Sequence, residues 1–162
     1  MGKRLVRDMH ILKEGSKMLH VVSRAIDLND KNRVQEICSS LRGVMYKHPK
    51  AVGLSMIQIG EPLRGCIIRK KNKQIILLNP VILNKIGNKR SLETCASVNK
   101  PYVLQRPILT KVAYFDEYCE PHTVWFGRQL SRVISHEVDH MDGKLISDGG
   151  KEWWGTKYVK KY

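Results

Sequence analysis

The sequence predicts an α+β fold in which antiparallel β-sheets pack around a helix carrying a His-Glu-x-x-His motif, with a second long helix in the N-terminal half. Apolar residues recur at helical spacing over residues 29–48 and again over 129–143. Between them lie strand-like runs rich in Ile, Leu and Val, which follow one another instead of alternating with helices. Strands in succession favour antiparallel hairpins, because each parallel pair would need a long crossover.

Taken in order, residues 1–28 carry few regular signals, with 19–25 as a short ordered piece. From Asn29 to His48, Val34, Ile37, Cys38, Leu41, Val44 and Met45 form one helical face. Asn29 or Asp30 suits the N-cap and Pro49 ends the helix. The run Ala51–Gly60 is bracketed by Pro49 and Pro62 and predicts a tight segment against the core. Its one amide, Gln58, needs hydrogen-bond partners, either protein groups or a substrate carbonyl. Residues 64–70 and 74–83 predict a hairpin turning at 70–73, and 108–114 with 121–126 predict a second, turning at 116–120. Leu130, Val133, Ile134 and Met141 supply the apolar stripe of the second helix, and Gly143 its stop.

A chain of 162 residues is enough for one domain with a sizeable core, so 1–162 reads as one unit with a short basic and aromatic tail from about 149. In that tail Trp153, Trp154 and Tyr158 are expected to pack back on the body. Hydrophobic content of 42% and charged content of 27% are those of a soluble globular protein. No apolar run has the length of a membrane span, and the first ten residues lack the apolar core of a secretory signal. The four cysteines, Cys38, Cys66, Cys95 and Cys119, show no paired spacing, which points to a reducing compartment. A bacterial-type cytoplasmic location is expected, with an organelle left open.

The formal charge is +14. It favours polyanionic neighbours through attraction that salt weakens. The basic residues are spread along the whole chain, however, and none of the usual nucleic-acid motifs is present. Solvated faces are therefore expected and specific DNA binding is not, while docking near ribosomal RNA remains compatible.

The chemistry concentrates in His136-Glu137-Val138-Asp139-His140. Side chains four apart share a helix face, so both imidazoles can reach one metal ion. Glu137 lies within reach of a proton on a water held there. A catalytic metal needs a third protein ligand and an open position. A third His six residues on is absent, since Ile146 stands there, and no acidic residue follows Glu152, so the ligand must come from upstream. Cys95, flanked by small residues, is the attractive candidate, although each of the four cysteines can also be a buried small hydrophobe.

Three segments in order, Val52-Gly53-Leu54-Ser55-Met56-Ile57-Gln58-Ile59-Gly60, Glu93-Thr94-Cys95-Ala96-Ser97-Val98 and Ser135-His136-Glu137-Val138-Asp139-His140-Met141-Asp142-Gly143, resemble the signature motifs of the peptide deformylases. The likeness extends to Asn79-Pro80-Val81-Ile82, Arg106-Pro107 and Lys144–Asp148, covering roughly residues 8–148. The resemblance implies that Cys95, His136 and His140 bind a divalent metal, natively ferrous iron, with zinc, nickel or cobalt as substitutes. It further implies Glu137 as general base and then acid, Gln58 and the Ala96 amide as donors to the formyl oxygen, and Val52, Gly53 and Val133 as lining for a methionine side chain. The implied substrates are formyl-methionyl nascent peptides, which yield formate and a free amine.

The second motif departs from the family's usual Glu-Gly-Cys-Leu-Ser at Thr94 and Ala96. The first opens with Ala51 instead of Gly and carries Met56-Ile57 in place of a small residue plus Pro or Asn. Every residue with direct chemistry is kept. Two other readings are a metal-binding relative with altered or lost activity, and a basic ribosome- or RNA-associated protein with a structural metal.

Overall fold

In the computed structural model, which describes residues 9–154, Asp30 accepts the Arg33 backbone N–H at 3.0 Å and starts helix α1 (Lys31–Lys47). This satisfies one of the donors that a helix start leaves without a partner. The helix stops two residues short of Pro49, with Val34, Ile37, Cys38, Leu41, Val44 and Met45 buried on one face.

Among the described residues eight strands form two antiparallel sheets. They are β1 (Gly53–Ser55), β2 (Gly65–Lys70), β3 (Lys73–Ile86), β4 (Lys89–Cys95), β5 (Val98–Arg106), β6 (Leu109–Phe115), β7 (Pro121–Gly127) and β8 (Lys151–Glu152). One sheet has the order β1-β2-β3-β6-β7 and the other β4-β5-β8. The β2–β3 and β6–β7 hairpins are those expected from the sequence.

The middle of the larger sheet is covered on both faces, which explains its continuous apolar runs. Ile67, Ile76 and Leu78 pack with α1, whereas Cys66, Ile68 and Leu77 pack with the second helix, α2 (Arg128–Met141). That helix contributes Val133, Ile134, Val138 and Met141, each worth on the order of 1.5–3 kcal/mol when fully buried. Strand β3 bends at Asn79, whose φ of 50° is left-handed and whose side chain pairs with both backbone groups of Ile26 at 2.8 and 2.9 Å.

The β4–β5 hairpin was not expected from the sequence, and its burial pattern gives the reason. In β4 it is Ser91 and Glu93 that point inward, while Leu92 is exposed. The usual apolar-in alternation is inverted because this strand faces a polar site. Strand β8 pairs with β5 and the Trp153 N–H donates to the Pro101 carbonyl, so the start of the tail does fold back. Trp154 corrects the expectation for its own ring: it is 80% exposed, touched on one face by the Lys100 ammonium at 4.6 Å. Tyr158 lies outside the described residues.

Helix α2 ends where Gly143 adopts φ +72°, followed by the short helix α3 (Ile146–Gly149). Leu145 and Ile146 join Leu19 and Val98 in a small core beneath the second sheet. No helix among the described residues is long and apolar enough to cross a membrane. A Cβ at Gly143 would lie 2.6 Å from the His20 carbonyl oxygen, in a backbone conformation that costs other residues about 1–2 kcal/mol. Gly143→Ala is therefore expected to lower unfolding free energy by about 2 kcal/mol or more in urea titration, and an unchanged midpoint would contradict this.

Candidate metal and catalytic site

Cys95 is the last residue of β4, and His136 and His140 stand one turn apart on α2. The Cys95 Sγ lies 3.3 Å from His140 Nε2, which lies 3.1 Å from His136 Nε2. All three donor atoms fall within 4.8 Å of one another. Ligands about 2.0–2.3 Å from a tetrahedral ion are roughly 3.3–3.5 Å apart, so the set fits one.

The electrostatics agree with that fit. Burial works against a charged His136, but hydrogen bonding to Cys95 and Glu93 outweighs it and pushes the pKa up to about 10. The surroundings thus favour positive charge at this point. Burial, with the neighbouring His136, holds His140 well below the usual imidazole range, so its ring is neutral and free to donate a lone pair.

The carboxylate of Glu93 orients His136 by accepting from Nδ1 at 3.0 Å, which leaves Nε2 to face the cysteine and the second histidine. Arg106 in β5 grips the same carboxylate with Nε and Nη2 at 2.8 and 2.9 Å, and its third nitrogen reaches Asp139 of α2. Burial alone would raise the Glu93 pKa, yet the hydrogen bonds from His136 and Arg106 bring it down to about 2. Sequence reasoning assigned no role to Glu93, Arg106 or Asp139. One signal was available: Ser91, Glu93 and Cys95 are two apart, so on a strand they share a face.

The segment Ala51–Gly60 forms β1 and a 3₁₀ turn over Met56–Ile59, closed by Gly60 at φ 86°. Gln58 is 2% exposed, and its Oε1 accepts the Ser55 N–H at 2.9 Å. Its NH₂ must then point the other way, donating to Ser97 Oγ at 3.0 Å and approaching Cys95 Sγ at 3.6 Å. Glu137 is equally buried, and the Ser55 hydroxyl donates to its Oε2 at 2.6 Å. Burial raises the pKa of this carboxyl, which eases its uptake of a proton. Gly53 packs directly on it: a Cβ there would lie 2.9 Å from both Glu137 Cδ and Val133 Cγ1.

A cavity of about 610 Å³ opens over these groups. Val52, Gly53, Gln58, Cys95, Ala96, Val133, His136 and Glu137 line it, while His140 lies behind, almost fully buried. The structure therefore brings every residue singled out from the sequence to one place. The wall has apolar surface, the buried Gln58 amide and the buried Glu137 carboxyl beside three donor atoms placed as a metal ion would need them, a combination that suits hydrolysis of a small amide.

Comparison with known proteins agrees. The polypeptide deformylase family model matches residues 8–153. The peptide deformylase of Brucella suis biovar 1 is 29% identical, the match covering 90% of this chain and 86% of that protein. That of Dictyoglomus thermophilum is 31% identical over 88% of this chain and 92% of its own length. A crystal structure of a peptide deformylase from Legionella pneumophila superposes with a TM-score of 0.80 at 29% identity, covering 86% of this chain and 84% of that one. The chain belongs to the peptide deformylase family and is a hydrolase of that type.

Proposed function

We propose that this hydrolase removes the N-formyl group from the N-terminal methionine of newly made polypeptides through a metal held by Cys95, His136 and His140. One observation carries the reading: three donor atoms from two separate elements converge beside a buried carboxylate in the wall of an open cavity. When bound, the ion supplies Lewis acidity, polarising the formyl oxygen and making water nucleophilic near neutral pH. Ferrous iron is the native ion in this reading, with zinc, nickel or cobalt as substitutes, all of which accept a mixed sulfur and imidazole set.

The chain's own residues do the rest. Glu137, steadied by Ser55, accepts a proton from the attacking water and returns it to the departing amine. Water adds at the formyl carbon, the carbon–nitrogen bond breaks, and formate and a free amine leave. Gln58 Nε2 and the Ala96 N–H stabilise the oxygen as it gains charge, each donor worth about 3 kcal/mol in the barrier. Val52, Gly53 and Val133 receive the methionine side chain, and Gly53 lacks a side chain where one would strike Glu137. Strands β1 and β4 are both sheet edges, and both contribute to the cavity wall. An extended peptide laid between them can pair its backbone with either edge.

The four cysteines carry no disulfide and a thiolate ligand needs reducing surroundings, which favours the compartment where translation occurs. The net charge of +14 gives a long-range attraction toward the ribosome surface.

Glu137→Gln is expected to lower formate release from formyl-Met-Ala-Ser by at least about 100-fold in nickel-loaded protein, with bound metal unchanged by elemental analysis. Comparable turnover by the variant would contradict the role of Glu137. A fully metal-loaded wild type without turnover would point instead to a relative that binds metal and no longer deformylates. Glu93→Gln is expected to weaken metal binding about 10- to 100-fold in chelator competition, since a neutral amide oxygen is a weaker acceptor for His136 than the carboxylate. Unaltered affinity would contradict that orienting role.

A further inference from the structure

The cavity wall offers charge of one sign to a bound peptide. Its two acidic members are buried and engaged, Glu93 with Arg106 and His136 and Glu137 with Ser55. Its cationic members come from separate elements. Lys50, in the loop after α1, is exposed and has no ion-pair partner among the described residues. Arg132, next to Val133 on α2, is half-buried, with Nη1 3.4 Å from Ser91 Oγ and no carboxylate within ion-pair distance among the described residues. Lys47 lines the same wall, and the Lys13 ammonium sits 2.7 Å from the Ala96 carbonyl. Cations on several sides of a cleft with low-dielectric walls focus its potential and attract anionic groups.

We propose that this wall selects nascent peptides carrying Asp or Glu in the few residues after the formylated methionine. The proposal rests on the deformylase reading above and adds a substrate preference to it. An extended peptide rises about 3.3 Å per residue, so its second to fourth residues leave the cavity along the rim where these cations stand. The catalytic groups need no acidic side chain, and neutral peptides remain substrates.

The test compares kcat/KM of metal-loaded enzyme for formyl-Met-Ala-Ser-Ala amide with versions carrying Asp or Lys at the second, third or fourth residue. At low ionic strength the best Asp peptide is expected to exceed the Lys peptide at the same position by about fivefold. That ratio should fall toward one in about 0.5 M salt, where screening acts within a few ångströms. Combined Lys50→Glu and Arg132→Glu should invert the order. Should that protein not fold, Lys50→Glu alone, on an exposed loop, should reduce the ratio. Equal values for Asp and Lys peptides while the neutral peptide is turned over, or a ratio indifferent to salt or to charge reversal, would overturn the preference and leave the deformylase reading intact. No turnover of any formyl peptide would overturn both.

Discussion

Arg106 is almost fully buried, and a guanidinium cannot shed its charge to relieve the cost. It must be met by carboxylates, and it is met by two on different elements, Glu93 of β4 and Asp139 of α2. Its own strand, β5, is thereby bolted to both. Removing one partner of such a buried arrangement typically costs about 3–5 kcal/mol, because the remaining charge is stranded. The site inherits its geometry from this clamp. With Glu93 held from behind, its Oε2 accepts from both Arg106 Nη2 and His136 Nδ1, and Cys95 follows two residues on at the end of the same strand. His140 follows one helical turn later. Two carboxylates against one guanidinium also leave excess negative charge beside the cysteine, which favours a cation at the point where the three donors meet.

A second constraint ties Glu137 to Gln58. Ser55 gives its backbone N–H to Gln58 and its hydroxyl to Glu137, so a single residue sets the orientation of both. This explains why the apolar run of residues 51–60 is interrupted by Ser55 and Gln58, both buried and both with partners. Close approach of Gly53 to Glu137 completes the arrangement, since any larger residue would have to displace the carboxylate or Val133.

Much of this was readable from the chain because apolar burial writes a period. The α1 face, the β2–β3 and β6–β7 hairpins and the stop at Gly143 all follow patterns set by packing or backbone conformation, and α2 announced itself through both its stripe and its two histidines. The β4–β5 hairpin did not, because the inward residues of β4 are Ser91 and Glu93, so that strand shows no apolar period. The clamp was hidden for a related reason. Arg106 is far in sequence from Asp139, and an isolated arginine in a chain with charge +14 reads as solvated until a structure places it. Trp154 erred in the opposite direction: an aromatic residue reads as core, yet here its ring lies in solvent under a lysine.

The two departures in the second motif fall where the fold tolerates them. Thr94 and Ala96 are both exposed, on the opposite side of the strand from Glu93 and on the turn beyond Cys95, so neither disturbs the clamp. The proposed function rests on a single ion shared by one sulfur and two imidazoles. X-ray absorption on zinc-loaded protein tests this most directly. The account predicts one sulfur at about 2.3 Å and two imidazole nitrogens at about 2.0–2.1 Å, with the sulfur shell lost in Cys95→Ala. A zinc shell of nitrogen and oxygen alone in the wild type, or a sulfur shell that survives the substitution, would contradict it.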